Sequence, residues 1–257
     1  MISRFTIVGS GNIASWFAYV IHKNGGKIEQ IFSRKLKNAQ ALASLYQSEA
    51  TDKIECLKQD SDVYLFAIND NAYLSVLEML TFKPQLAVHT AGSVSQHIFD
   101  GYAERYGVIY PYQSISKNAD FSDILVPLCI ESSDEETENQ LFQLGKVWAD
   151  DVALIDECQR AYLHLAAVFA CNFVNAMYGI GYDILEKENI NPNILWPLLE
   201  NTLNKIKEIS PIEAQTGPAM RNEQITMKKH LDLLDDEALK EIYSIISKRI
   251  IKQTLSR

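Results

Sequence analysis

The opening of the chain constrains its fold more than any other stretch. A short apolar segment, Arg4 to Val8, runs directly into the motif GSGNIA at residues 9–14, and apolar residues at helical spacing follow. The first amide N–H groups of a helix have no internal partner and carry the positive end of its dipole, so this strand, turn and helix start can hold a pyrophosphate. Gly9 permits the tight turn, Gly11 permits close approach of a phosphate, and Ala14 permits close packing of helix on strand. The predicted pyrophosphate site consists of Gly9, Ser10, Gly11, Asn12 and Ile13. The alternative is an ordinary glycine turn.

The end of the second predicted strand indicates which dinucleotide is bound. This strand runs from Lys27 to Phe32 and ends at Ser33-Arg34-Lys35. A fold that prefers NAD places an acidic residue here, against the ribose 2′-hydroxyl. A guanidinium instead matches a phosphate dianion in a bidentate way, so Ser33 and Arg34 predict a 2′-phosphate site and NADP as the cofactor. The alternatives are a solvated basic helix start, or a different nucleotide in the glycine turn.

The two parts of the chain differ in their pattern. Further strands are predicted at 62–68, 85–89, 107–110, 126–131 and 152–155, with helices at 38–46 and 134–148. This alternation is typical of a doubly wound, mostly parallel sheet. From residue 156 onward only helices are predicted, beginning with a proline-free one over 157–187. We therefore predict an α/β fold with a Rossmann-like NADP-binding domain over 1–154 and an all-α substrate and dimerisation domain over 155–257.

Ligands in open α/β sheets sit outside the carboxyl ends of the strands. The residues that follow two of the buried strands, and so are expected beside the dinucleotide, are Ala67, Ile68, Asn69, Asp70, His89 and Thr90. Asp70 can equally be a helix N-cap, and His89 can equally be a buried structural histidine. Gln113 follows the next strand, in the position of a substrate-facing loop.

The long predicted helix carries the candidate catalytic residues. Its middle is almost entirely apolar, but His164 and Asn172 interrupt it at positions that lie about 80° apart around an α-helix. An unpaired imidazole or amide is costly to bury, so each side chain needs a partner. That partner is either a substrate in a cleft or another protein group.

Composition excludes several classes of function. The formal net charge of −9 argues against nucleic acid or an anionic membrane surface as the main partner. The four cysteines show no CxxC spacing, so neither a zinc site nor a disulfide framework is predicted. The sequence also lacks a signal-peptide pattern and a run of eighteen consecutive apolar residues. We expect a cytoplasmic protein without metal or membrane contact, and a homodimer formed through the apolar C-terminal helices.

The chain resembles a family of two-domain Rossmann-like NADP oxidoreductases related to pyrroline-5-carboxylate reductase. The motifs that carry the resemblance are GSGNIA at Gly9, SR at Ser33, HTAGS at His89, YPYQS at Tyr110, YLHLAAVFACNF at Tyr162 and TGPAMRNE at Thr216. The family implies an NADP-binding N-terminal domain, a helical C-terminal domain and a cleft between them. The usual form of the last motif resembles TGPxxRGD, and Asn222-Glu223 here replace Gly-Asp.

More distant relatives are the β-hydroxyacid dehydrogenases, in which a Lys four residues before an Asn donates a proton. Val168 occupies that position before Asn172, so His164 is the residue expected to supply the proton. Arg221 is expected to bind a substrate carboxylate. The resulting hypothesis is an NADP-dependent reductase that transfers hydride to a small carbonyl or imine substrate, and the alternative is a non-catalytic NADP-binding redox sensor or scaffold.

Overall fold

A computed structural model describes residues 2–117 and 119–255 of the chain. The described residues form two compact units, which divide between Met177 and Tyr178. The eight strands are β1 Arg4–Val8, β2 Lys27–Phe32, β3 Glu49–Thr51, β4 Val63–Phe66, β5 Leu86–His89, β6 Arg105–Pro111, β7 Leu128–Ser132 and β8 Val152–Leu154. They form one sheet in the order β3-β2-β1-β4-β5-β6-β7-β8. Every neighbouring pair is parallel except β6 with β7, which confirms the predicted doubly wound, mostly parallel sheet.

In the first unit, helices lie between the strands and after the last strand. They are α1 Asn12–Lys23, α2 Leu36–Ala43, α3 Tyr73–Leu77, α4 Glu135–Trp148 and α5 Glu157–Ala167. Strand side chains alternate between two buried clusters. Ile7 and Leu65 pack into one, while Val8 and Phe66 pack into the other. The sheet is therefore covered on both faces, as its near-continuous apolar strands require.

The long helix is continuous but not uniform. After α5, residues Val168–Phe173 form a π-helical segment, and α6 follows over Val174–Lys187. The predicted span of 157–187 is confirmed. The predicted angle of about 80° between His164 and Asn172 assumes an α-helix. It does not apply here, because the π-helical segment widens the turn between these two residues.

The described residues contain one helix, 157–187, that is long and apolar enough to cross a membrane; its most apolar window has a mean hydropathy of 1.4. One such helix is weak evidence for a membrane span, since helices that pack against other protein chains have the same composition. Arg160, near its start, is 1% exposed and paired with a sheet residue, so these first turns pack against protein.

The regular elements of the second unit are all helices in its described residues. It contains the C-terminal part of α6 and then α7 Trp196–Glu208, α8 Pro211–Ala214, α9 Gln224–Leu233 and α10 Glu237–Leu255. Ser210 begins α8 through a capping box with Glu213. The boundary between the two units lies inside the long helix, because the first part of this helix, α5, packs on the sheet of the first unit. The domain boundary after residue 154 stays a prediction.

Candidate functional site

The glycine turn has two glycines with different physical roles. Gly9 adopts φ +130°, and a Cβ there would lie 2.1 Å from the carbonyl oxygen of Ala67 at the end of β4. Gly9 is therefore required by the fold itself. Gly11 is the N-cap residue of α1, has φ −80° and has no atom within 4 Å of a built Cβ. Because the fold leaves this space open and no side chain caps α1, the first amides of α1 can receive a phosphate.

Other predicted cofactor residues lie around the same turn. Ser10 Oγ donates to Ser33 Oγ at 2.9 Å, so the glycine turn and the end of β2 are held together. Asn12 accepts a hydrogen bond at 3.2 Å from the backbone N–H of Lys117, in the loop after β6. Ile13 belongs to the first turn of α1. Ala14 is fully buried, as the close packing of α1 on the sheet requires.

Arg34 follows Ser33 in the loop between β2 and α2. Its side chain is exposed, and in the described part of the chain its guanidinium has no hydrogen-bond or ion-pair partner. Lys35, at the N-cap position of α2, also makes no capping bond. The basic group predicted to bind a 2′-phosphate is thus free, one residue from the serine that contacts the glycine turn.

The ends of β4 and β5 complete this edge of the sheet. Ala67 N–H donates to the carbonyl of Val8 at 2.8 Å. Ile68 is half-buried, and Asn69 is exposed. Asp70 accepts a hydrogen bond from the Ser93 hydroxyl, which joins the two loops, and it is not the helix N-cap that the alternative proposed. Thr90 Oγ1 lies 3.5 Å from the carbonyl of Phe66.

His89 lies inside the fold. Its ring is 0% exposed and contacts the rings of Tyr73 and Phe99, 5.6 and 5.8 Å away between centroids. Burial, together with the charge of Arg160, lowers the pKa of His89 to about 3, so the ring is neutral at physiological pH. This placement agrees with the structural alternative and leaves the side chain no surface for cofactor contact.

His164 on α5 meets the sheet beside the turn that follows β5. Its Nδ1 lies 3.1 Å from the hydroxyl of Tyr110 on β6. A Cβ on Gly92 would lie 2.6 Å from the same Nδ1, so a side chain at this position would displace the imidazole. His164 is thereby fixed at the edge of the sheet that carries the glycine turn, and its polar partner within the protein is Tyr110.

A buried ion pair beneath His164 was missed by sequence reasoning. Arg160, 1% exposed, donates from Nε to Glu131 of β7 at 3.0 Å, and from Nη1 to the carbonyls of Ala91 and Gly92, each at 3.0 Å. These bonds tie α5 to the turn after β5. The available signals were an arginine in a largely apolar helix and a glutamate ending an apolar strand, but neither identifies the other as its partner.

The remaining predicted residues are not brought to His164 by any contact of the described chain. Asn172 is exposed in the π segment. Gln113 binds within its own loop, donating to the carbonyl of Leu125 at 3.0 Å and accepting from Ser114 N–H at 2.9 Å.

Arg221 lies in the second unit and forms a two-bond ion pair with Glu223, at 2.7 and 3.2 Å. Asn222 between them has φ 52°, a backbone conformation that glycine adopts freely and asparagine tolerates. The replacement of Gly by Asn222 is therefore compatible with a left-handed backbone at this position. The Arg221 guanidinium, which was expected to bind a substrate carboxylate, is thus paired with Glu223.

Among the described residues there is no group of three His, Cys, Asp or Glu side chains that could hold a metal ion. The four cysteines are free.

A doubly wound sheet with an open glycine turn at the start of α1 defines a Rossmann-type dinucleotide-binding protein. The structure is similar to that of a Bacteroides fragilis protein described as a "putative NADP oxidoreductase", with 32% sequence identity over 98% of each chain and a TM-score of 0.92. The chain belongs to this family of NADP oxidoreductases.

Two family models match different parts of the chain. Residues 4–93 match the family described as "NADP oxidoreductase coenzyme F420-dependent", and residues 126–250 match a domain of unknown function, DUF2520. A search of curated proteins found no match.

More distant solved structures share the fold. One is 1-pyrroline-5-carboxylate reductase from Streptococcus pyogenes, at 15% identity, with 99% of this chain and 98% of that chain covered and a TM-score of 0.64. Another is an imine reductase from Myxococcus stipitatus in complex with NADP+, at 13% identity, with 98% and 99% covered and a TM-score of 0.67.

Proposed function

We propose that this protein is an NADP-dependent reductase that transfers hydride from NADPH to a small carbonyl or imine substrate. The observation that carries the proposal is the position of His164. This histidine is hydrogen-bonded to Tyr110 and packed on Gly92, at the sheet edge that bears the open glycine turn. The imidazole lies beside the strand ends where a dinucleotide of this fold binds, which supports its assignment as the proton donor.

The proposal assigns roles to several of the predicted site residues. The amides that begin α1 hold the pyrophosphate, and Ser33 and Arg34 hold the 2′-phosphate. Asn69 and Thr90 border the nicotinamide ribose. Bound NADPH supplies the hydride. His164 supplies the proton, and the proposed substrate-binding residues are Asn172, Gln113 and Arg221. The substrate cleft between the predicted domains stays a prediction.

The second candidate function is a non-catalytic NADP-binding redox sensor or scaffold. The pairing of Arg221 with Glu223 favours it, because a substrate carboxylate would have to displace Glu223. The two candidates are separated by adding NADPH together with members of a keto-acid and cyclic-imine panel. A reductase oxidises NADPH with at least one member, whereas a sensor binds NADPH and consumes none.

The cofactor assignment predicts that Arg34→Ala lowers affinity for NADPH about 10- to 100-fold, the loss of a charge-assisted phosphate contact. Affinity for NADH, which lacks the 2′-phosphate, remains unchanged. Calorimetric titration with each nucleotide measures both values. The matched control is Lys37→Ala, which removes an exposed cation from the first turn of α2. Equal NADPH affinity in wild type and Arg34→Ala contradicts the 2′-phosphate site.

We also propose that the protein is a cytoplasmic homodimer whose interface includes the long helix. Large apolar side chains are exposed along the helix, namely Tyr162, Leu165, Phe169, Phe173 and Met177. Contiguous apolar surface of this kind marks an interaction site, and a second copy of the chain presents the same surface.

The dimer proposal predicts that Phe169→Glu converts a dimer into a monomer, because it buries a charge in the apolar interface. Light scattering after size-exclusion chromatography in detergent-free buffer measures the mass. Leu45→Glu is the control, since Leu45 is 68% exposed and Phe169 is 62% exposed. A wild-type protein that elutes as a monomer contradicts the proposal, as does a Phe169→Glu variant that remains a dimer.

A further inference from the structure

Tyr110 is the polar partner of His164, and its surroundings determine what it can do. The side chain is 8% exposed, and its hydroxyl lies 3.1 Å from Nδ1 of His164. Burial, the largest cause, raises the pKa of Tyr110 to about 12, so the phenol keeps its proton at neutral pH. A protonated phenol can donate to Nδ1, and an imidazole that accepts at Nδ1 carries its own proton on Nε2.

The charges around this pair come from several elements. The ionisable groups concerned are Tyr112 on the loop after β6, Cys129 and Glu131 on β7, His89 on β5 and Arg160 on α5. His89 is neutral, and burial raises the pKa of the Cys129 thiol, which therefore also stays neutral. The charged groups are Arg160 and its partner Glu131. The positive charge of Arg160 opposes the rise in the pKa of Tyr110, so it stabilises a phenolate there.

We propose that Tyr110 and His164 form a proton relay in which Tyr110 supplies the proton that His164 passes to the substrate. As the substrate is reduced, its oxygen or nitrogen takes the proton from Nε2, while Nδ1 takes the proton from the Tyr110 hydroxyl. Tyr110 is left as a phenolate beside Arg160, and the relay resets when water protonates Nε2 and Nδ1 returns its proton to Tyr110. This inference rests on the proposed reductase function, because His164 must be the donor to the substrate.

The relay and a lone histidine predict different pH profiles. A histidine that donates its proton as a lone imidazolium is depleted as the pH rises, so its rate falls about tenfold per pH unit. The relay draws its proton from the Tyr110 phenol, which is protonated throughout this range, so the rate stays nearly constant from about pH 7 to about pH 9. Tyr110→Phe removes the proton source. In this variant the rate is expected to fall with rising pH instead of staying constant, while KM and NADPH affinity remain unchanged.

The assay is NADPH oxidation with pyruvate, and with pyrroline as the cyclic imine, across this pH range. Tyr112→Phe is the control, because the Tyr112 ring lies 6.2 Å from that of Tyr110. This variant also removes a phenol hydroxyl, but it leaves the contact between Tyr110 and His164 in place, so the pH profile should stay level. A Tyr110→Phe profile identical to that of wild type overturns the relay. A wild-type protein that oxidises no NADPH with any panel member contradicts the proposed function instead.

A second measurement needs no turnover. Nitrogen NMR of 15N-histidine-labelled wild-type protein distinguishes the two imidazole tautomers, and we expect His164 to carry its proton on Nε2 at neutral pH, both with and without NADP+. This preference is expected to be lost in Tyr110→Phe. A proton on Nδ1 in wild type overturns the relay even if the enzyme is active, because Tyr110 then accepts the hydrogen bond.

Discussion

His164→Ala is expected to lower turnover about 10²- to 10⁴-fold, the range that a positioned acid or base contributes to catalysis. The imidazole is the candidate proton donor, and Val168, where distant relatives have a lysine, cannot replace it. NADPH affinity should not change, since the proposed pyrophosphate and 2′-phosphate sites lie at β1 and β2. Steady-state NADPH oxidation with the best panel substrate, together with calorimetry, measures both quantities.

The control for this variant lies in the second unit. His230 Nδ1 lies 2.8 Å from the hydroxyl of Tyr243, a second partly buried pair of the same chemistry. His230→Ala also leaves a tyrosine hydroxyl without its partner. It should therefore lower the free energy of unfolding by a similar amount, about 1–3 kcal/mol, without loss of a proton donor. A His164→Ala enzyme with full turnover would remove His164 from the mechanism. An equal loss in both variants would show that general destabilisation is the cause.

The sequence was most informative where function depends on local backbone geometry. The glycine turn, the strand before it and the end of β2 that carries Arg34 were all predicted, because each is a short local segment that follows the periods of strand and helix. The strand-end rule then placed Asn69, Asp70 and Thr90 on the same sheet edge. β3 was missed because three residues, Glu49–Thr51, are too few for a periodic pattern.

The parts of the site that were missed depend on contacts between distant residues. Arg160 meets Glu131 across 29 residues and the Ala91 carbonyl across 69. No local pattern encodes such a pair. His89 follows the rule for strand ends but is covered by Tyr73 and Phe99, so its burial needed the packed structure. Arg221 and Glu223 are only two residues apart, but their pairing needed the folded loop.

Arg160→Met is expected to lower the free energy of unfolding by about 3–5 kcal/mol, because it leaves the carboxylate of Glu131 buried without its partner. The variant also releases the carbonyls of Ala91 and Gly92, on which His164 packs. Urea unfolding followed by tryptophan fluorescence measures the change. A Trp196→Phe background confines the signal to Trp16 and Trp148, both in the first unit.

Two controls separate burial from charge. Arg105→Met breaks the pair with Glu136, whose side chains are 34% and 74% exposed, and should cost no more than about 1 kcal/mol. Arg160→Met combined with Glu131→Leu should recover much of the lost stability, since replacing both members of a buried pair with apolar residues is often neutral or better. A single Arg160→Met variant as stable as Arg105→Met would mean that Glu131 finds another partner or takes up a proton. If the double variant recovers stability but not turnover, Arg160 acts on the reaction through the turn and the Tyr110–His164 pair, separately from its part in folding.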